Sequence, residues 1–261
     1  MNILDKIIQD KKLEVEAKKA LIQIEFYQNS PLFTRETYSL ANSVRTGSGI
    51  ISEFKRRSPS KQVINHQNGV IEVAKGYEMA GASGISVLTD TKYFGGAIDD
   101  LIQVRNTVEL PVLRKEFIID AYQIYEARAF GADAILLIAA VLNASEIMHL
   151  STLAKSLDMD VLLEVHNEEE LKKSPLEFVD LVGVNNRDLK TFEVSIETSK
   201  ALSTLIPDDK VKVSESGISE VSTILELKKY GFQGFLIGEN FMRTTDPGLA
   251  AIDFIQDLYH G

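Results

Sequence analysis

The chain has no cysteine and no tryptophan. The missing cysteines exclude disulfides, iron–sulfur ligation, thiolate zinc sites and cysteine nucleophiles, and they fit a cytoplasmic protein. Histidine is scarce: His66, His149, His166 and His260 are scattered without HxH or HExxH spacing, so no metal site is expected. Long apolar runs are also lacking. The longest, Ala134 to Leu142, is nine residues, far below the ~20 that span a bilayer. The opening Met1-Asn2-Ile3-Leu4-Asp5-Lys6 shows no basic start, apolar block and cleavage site, so a soluble protein without a secretion signal is expected. Basic residues are outnumbered, 28 against 38 acidic for a net charge of −10. That argues against nucleic acid or an anionic membrane as a partner. The cationic cluster is local: Lys55, Arg56, Arg57 and Lys61.

What is present is a set of charges in unusual places. Glu53, Lys55, Lys115 and Glu164 stand at the downstream ends of the apolar runs GIISEFK, PVLRKEF and DVLLEVH. A strand buried on both faces normally carries no such residues. Charges at the ends of several parallel strands are the layout of a barrel active site, which points to an enzyme.

The organisation supports that layout. With 261 residues and 44% hydrophobic content, the chain matches one (β/α)8 barrel in size and needs no second domain. Gly81, Gly131 and Gly231 each follow a helical pattern and precede an apolar run, as a C′ glycine would. Eight strand-like runs lie near 49–53, 84–89, 111–115, 134–138, 160–165, 180–185, 210–215 and 234–238. Helical spacing fills Val70–Ala80, Ala121–Phe130, Ala144–Leu157, Ile196–Leu205 and Val221–Tyr230. Strict alternation implies a parallel sheet, and eight units close it. A doubly wound open sheet competes weakly, because no GxGxxG follows the first run. The expected architecture is therefore α/β, a TIM barrel spanning 1–261. Residues 1–48 form an N-terminal helical extension with one helix around Ile3, Leu4, Ile7, Ile8 and Val15 and a second over Thr34–Val44. This extension should cap an end of the barrel or border the substrate.

At the downstream ends, strand 1 delivers Ser52 to Ser60, strand 3 Arg114 to Phe117, strand 5 Glu164, strand 6 Gly183 to Leu189, strand 7 Ser214 to Gly217 and strand 8 Ile237 to Asn240. The fold gathers them at one mouth. Read in order, SEFKRRSPS, TDTKYFGG, PVLRKEFIID, GADAILLIAAVL, LLEVHNEEEL, GVNNRDLKTFEV, SESGI and IGENFMR resemble the successive motifs of the indole-3-glycerol phosphate synthase family over nearly the whole chain. ExKRxSPS with GxNxRDL is the specific part. SESGI and the terminal IGE are shared with other phosphate-binding barrels.

The resemblance implies cofactor-free closure of 1-(2-carboxyphenylamino)-1-deoxyribulose 5-phosphate to indole-3-glycerol phosphate, a step of tryptophan biosynthesis that releases carbon dioxide and water. It makes Lys115 the general acid and Glu164 the general base, with Glu53 sharing proton handling and Lys55 meeting the anthranilate carboxylate. Asn185 contacts substrate, and Glu215 lines the site. Ser216, Gly217, Gly238 and Glu239 form the phosphate cradle, with further contacts from Lys55 and Ser58. Phe94, Phe117 and Leu136 form the slot for the aromatic ring. Arg187 is counted among the substrate-binding residues, and it and Asp188 pair to fix their loop. The partner is a small phosphorylated substrate. The expected state is a monomer, and the other proteins it would meet are further enzymes of the tryptophan pathway. Two other uses of the same residues are a Schiff-base aldolase, in which a strand-end lysine attacks a ketone covalently, and a non-catalytic phosphosugar-binding barrel. The isomerase of the preceding tryptophan step shares the cradle but leaves ExKRxSPS unexplained.

Overall fold

The computed structural model describes residues 3–188 and 191–260, so Leu189, the last position of GxNxRDL, lies outside the described residues. Three helices come first: α1 (Ile3–Leu21), α2 (Ile24–Gln28) and α3 (Leu40–Thr46). Then β1 (Ile50–Phe54), α4 (Val70–Met79), β2 (Gly84–Leu88), α5 (Thr91–Phe94), α6 (Ile98–Arg105), β3 (Val112–Lys115), α7 (Ala121–Ala129) and β4 (Ala134–Ile138) follow. The second half runs α8 (Ala144–Ser156), β5 (Asp160–Val165), α9 (Glu168–Lys173), β6 (Leu181–Asn185), α10 (Glu197–Leu202), β7 (Val211–Glu215), α11 (Val221–Lys228), β8 (Gly234–Ile237), α12 (Glu239–Met242) and α13 (Pro247–His260). Every strand pairs in parallel with its neighbours, and β1 closes on β8 with Ile50 opposite Phe235. The chain is a closed (β/α)8 barrel, as its alternation implies.

The glycines before β2, β4 and β8 terminate helices as expected. Gly81, Gly131 and Gly231 have φ of +77°, +95° and +83°. At each, the glycine N–H and the next N–H bond back to the last turn, as in Gly81 N to Glu78 O (3.0 Å) and Ala82 N to Tyr77 O (3.1 Å). That is the two-bond stop that a left-handed residue permits, and it aims the chain at the following strand.

Period-two alternation divides each strand between two cores. Ile50 and Phe54, Val112, Ile135 and Leu137, Val161, Leu163 and Val165, and Val182 and Val184 face the helices. Ile51, Leu113, Leu136 and Ile138, Leu162, Leu181 and Val213 face the barrel interior. The same interior core takes in Leu40, Ala41 and Val44 of α3, which plugs the end opposite the mouth. The plug fits because two strands begin with glycine: a Cβ on Gly84 would lie 2.5 Å from Leu40 Cδ1, and one on Gly234 3.2 Å from Val44 Cγ1. Ser39 caps α3 by accepting the Asn42 N–H, and its Oγ donates to Asp160 at 2.8 Å. The second helix of the extension is thus shorter than the expected Thr34–Val44. Residues 34–38 instead cross the barrel base, where Arg35 and the Tyr38 N–H bond Asp133 at 2.7 and 2.9 Å.

α1 lies at the mouth. Its buried Lys11 pairs with Asp90 and Glu116, both at 3.1 Å, and with Glu14 at 2.7 Å. Further along the helix, Lys18 reaches Glu126 of α7 at 3.0 Å. Glu126 in turn takes Arg114 of β3 at 2.6 Å and the Tyr27 hydroxyl at 3.3 Å. The extension both caps the base and borders the mouth. Among the described residues, no helix is long and apolar enough to cross a membrane.

Candidate active site

Alternation decides which strand-end charges meet. In the registers that carry Ile51, Leu113, Leu162, Leu181 and Val213 inward, the next inward residues toward the mouth are Glu53, Lys115, Glu164, Gly183 and Glu215, and Asn185 follows on β6. All but Gly183 line one cavity of about 360 Å³. Its floor is a cluster of buried charge. Lys115 Nζ lies 3.3 Å from Glu164 Oε2 and makes a short hydrogen bond to Glu215 Oε2. Lys55 Nζ holds Glu53 Oε1 at 2.7 Å.

Three carboxylates around two ammonium groups cannot all ionise freely in such a place. Burial disfavours the Lys115 ammonium, yet Glu215, Glu164 and Glu53 outweigh it and hold the group above the ordinary lysine range. For Glu164, burial raises the pKa, but Lys115, His166 and Asn185 reverse the balance and keep it ionised. Glu215 goes the other way. Its own burial dominates, Lys115 opposes, Glu164 adds repulsion, and it is pushed up to about 7. Lys115 is therefore a standing proton donor beside an ionised carboxylate on one side and a readily protonated one on the other.

Two glycines make room for this cluster. A Cβ on Gly183 would come within 2.3 Å of Glu215 Oε1, and one on Gly238 within 2.5 Å of Glu53 Oε1. The need for glycine at 238, expected from close approach of phosphate, is thus imposed in the first place by the Glu53 side chain. Gly183 was not singled out in the sequence, although a glycine inside a strand often marks such an approach.

One wall of the cavity is apolar. The Phe94 and Phe117 rings are tilted 41° to one another with centroids 5.9 Å apart, and Leu136 lies deeper on the same lining. Leu88 and Ile138 add to it, and Ile3, Leu4 and Ile7 of α1 complete the rim. The rest of the rim is polar and built of backbone turns. Ser216 and Gly217 are consecutive left-handed residues with φ of +69° and +76°, a conformation that costs a non-glycine residue about 1–2 kcal/mol. Asn186 holds the turn by donating to Ser214 Oγ at 2.9 Å and to Ser216 O at 3.1 Å. Across from it, Gly238 and Glu239 open α12, and the Glu239 carboxylate turns to Lys61 at 2.9 Å.

Ser58 and Lys61 exchange backbone hydrogen bonds in the loop after β1. Arg56 ties that loop to Asp100 of α6, and Arg57 ties it to the Thr91 and Lys92 carbonyls at 2.7 and 2.8 Å. After β6, Arg187 donates to the Phe192 carbonyl at 3.2 Å and Asp188 accepts the Thr191 N–H at 2.8 Å, which closes that loop.

Every site residue expected from the sequence lines the one cavity: Glu53, Lys55, Ser58, Phe94, Lys115, Phe117, Leu136, Glu164, Asn185, Arg187, Glu215, Ser216, Gly217, Gly238 and Glu239. Sequence reasoning missed Arg243 and Ser219 at the polar rim, which Asn240 joins as expected from the end of strand 8. It also missed His166, whose Nε2 lies 3.4 Å from Glu164 Oε1. The spacing of two between Glu164 and His166 was the available signal. Among the described residues, no group of three His, Asp or Glu side chains is placed to hold a metal ion.

Comparison with known proteins bears on the family and the fold. A family profile described as "Indole-3-glycerol phosphate synthase" matches residues 4–254. A relative of that name from Bacteroides thetaiotaomicron is 44% identical over 258 residues, covering 98% of this chain and 99% of its own. Another, from Albidiferax ferrireducens, is 44% identical over 254 residues, covering 95% and 96%. Among solved structures, a tryptophan synthase complex from Pyrococcus furiosus superposes with a TM-score of 0.61 at 14% identity, over 82% of this chain and 99% of that one. A structure titled "Native KDPGal structure" gives 0.56 at 12% identity, over 81% and 92%. At such identities the structures speak for the fold alone.

Proposed function

The chain belongs to the indole-3-glycerol phosphate synthase family, and from that premise we propose how its residues divide the family's reaction. The activity is a carboxy-lyase step of tryptophan biosynthesis. 1-(2-Carboxyphenylamino)-1-deoxyribulose 5-phosphate closes to indole-3-glycerol phosphate with loss of carbon dioxide and water.

The observation that carries the assignment is the Lys115 ammonium at the floor of the mouth, flanked by Glu164 and Glu215 and facing the apolar wall of Phe94, Phe117 and Leu136. Lys115 gives its proton to the ketone oxygen as the ring carbon bearing the carboxylate attacks the ketone carbon. The carboxylate leaves as carbon dioxide and aromaticity returns. Loss of the hydroxyl as water then moves two protons: the Lys55–Glu53 pair supplies one to the departing oxygen, and Glu164, ionised and 3.3 Å from Lys115, takes the other from the methylene carbon beside the ring nitrogen. Lys55, braced by Glu53, meets the substrate carboxylate and orients the closure. Asn185 contacts the substrate, and the backbone of Ser216–Gly217 and Gly238–Glu239, with Ser58 and Arg187, receives the phosphate. The Glu239–Lys61 pair supports this reading, since it draws the carboxylate away from the anion.

A Schiff-base role for Lys115 is disfavoured because covalent attack needs a neutral amine and the surrounding carboxylates hold this one charged. We place the enzyme in the cytoplasm as a monomer acting through one catalytic unit, 1–261, with 1–48 as its extension. The test is to supply the carboxyphenylamino substrate to the wild type and to Glu164→Gln and to quench single turnovers. The wild type should release carbon dioxide and indole product together, and the variant should release carbon dioxide without matching indole product. Equal loss of both would remove Glu164 from the dehydration step.

A further inference from the structure

His166 follows Glu164 by two residues, so beyond the end of β5 it turns toward the same side of the sheet. The next turn of chain fixes its ring. Asn167 caps α9 by accepting the Glu170 N–H at 2.9 Å, and its amide returns a hydrogen bond to Glu170 Oε1 at 2.9 Å. The other oxygen, Glu170 Oε2, accepts the His166 backbone N–H at 2.8 Å and lies 3.1 Å from ring Nδ1. The carboxylate is held from both sides, and the ring cannot turn without breaking this bond. The opposite nitrogen, Nε2, then lies 3.4 Å from Glu164 Oε1, within ion-pair distance, and is otherwise buried without a hydrogen-bond partner among the described residues.

The chemistry of the two ring nitrogens decides the rest. An ionised carboxylate can only accept, so Nδ1 carries a proton. If Nε2 carried none, its lone pair would face a second carboxylate at close range. The arrangement is favourable only when both nitrogens are protonated. The charged groups facing the ring are Glu164 from β5, Glu170 from α9 and, farther off, Glu215 from β7. Burial disfavours the imidazolium, but these three outweigh it and lift the group above the ordinary histidine range.

We propose that His166 is a positioning residue for Glu164: a ring clamped by Glu170 that presents an N–H to the carboxylate closing β5, keeping it ionised and aimed into the cavity. The two oxygens of Glu164 are then divided, Oε2 toward Lys115 and Oε1 toward His166. Acid and base of the reaction are held in register by a chain of alternating charge, Glu170, His166, Glu164, Lys115. This inference rests on the reading of Glu164 as the base.

Two measurements test it. In 15N-histidine-labelled wild-type protein, with His166 identified by its absence in His166→Gln, the ring should show both nitrogens protonated near neutral pH. A neutral His166 ring there would overturn the proposal, whatever the activity of any variant. The pH profile of kcat supplies the second. In His166→Phe the acidic limb, which reports ionisation of the base, should move up by about one unit, and the plateau should fall about tenfold or more from misplacement of the carboxylate. His166→Gln returns an N–H donor without charge, so it should recover the plateau and keep the shifted limb. A purely structural role would lower the melting temperature and leave the limb in place, and that result in folded His166→Phe would sink the proposal. Failure of the Glu164 reading would look different: Glu164→Gln would turn over normally while the His166 ring of the wild type stayed protonated.

Discussion

Arg114 and Lys115 are neighbours on β3 that face opposite sides of the sheet, and each sits in a nest of carboxylates. On the outer side every group is matched. Arg114 donates through Nε to Thr89 Oγ1 at 3.2 Å, through Nη1 to the Gln123 carbonyl at 2.9 Å and through Nη2 to Glu126 at 2.6 Å. Glu126 spends its other oxygen on Lys18 and Tyr27. Glu116 divides its oxygens between the Phe117 N–H with Lys11 and the Thr89 hydroxyl. On the inner side the accounts stay open. Among the described residues Glu215 Oε1 has no hydrogen-bond partner, Glu164 Oε1 has His166 at ion-pair distance without a hydrogen bond, and Lys115 is shared by two carboxylates. The same residue types, one position apart, are saturated where they hold helices to the barrel and left wanting where they face the cavity. Saturation marks structure, and incomplete pairing beside a cavity marks chemistry.

The contrast can be broken most directly at Lys115. Lys115→Ala should cost of order 10²–10⁴ in turnover while lowering stability less than the matching change at Arg114, because Glu215 already accepts a proton near neutrality. Steady-state rates and urea melts of the two variants give the comparison, and equal stability losses would erase it. Next in size is Arg114→Leu, which strands Glu126 in the interior. Removing one partner of a buried pair costs about 3–5 kcal/mol, so the urea midpoint should fall sharply while kcat per folded molecule stays near that of the wild type. A large loss of kcat in the folded fraction would mean that the outer network also tunes the site.

The smallest effect concerns Glu215. Its folded pKa, about 7, exceeds the ordinary carboxylate value of 4.5, so between these limits the native state holds a proton that the unfolded chain has lost. The stability it contributes is complete below the lower value and lost as pH rises through the upper one. Glu215→Gln removes that dependence. Wild-type stability relative to the variant should decline from about pH 5 to about pH 7 by at most about 3 kcal/mol and then level off. Urea melts over this range check it, and a rising or flat difference would contradict the assignment.

The strands were legible because their apolar runs are short and end in charge, and the observed bounds differ from the expected ones by a residue or so, as in 50–54 for 49–53. The helix stops were legible from Gly81, Gly131 and Gly231. What could not be read was the side of the sheet. In a strand apolar on both faces, alternation leaves no trace, so nothing in PVLRKEF distinguishes Arg114 from Lys115. The sequence marks Lys115 only through the motif resemblance. Gly183 and Gly238 make room for carboxylates that arrive from other strands, and such contacts have no local signature. Thr34–Val44 misled because its apolar spacing continues upstream of Ser39, the residue that caps α3.

The α3 plug carries a consequence for the order in which the molecule is assembled. It is synthesised before every strand of the barrel, yet its anchors lie far downstream: Leu40 against Gly84, Ser39 on Asp160, Arg45 on the Asp209 carbonyl at 2.8 Å and Val44 against Gly234. The seat is complete only once β8 has closed on β1. Until those strands exist this helix has no place to go, and its docking is a late, long-range event that must carry the entropy of closing a loop that reaches from α3 to β8. The helix that stoppers the barrel thus reports whether the barrel has closed.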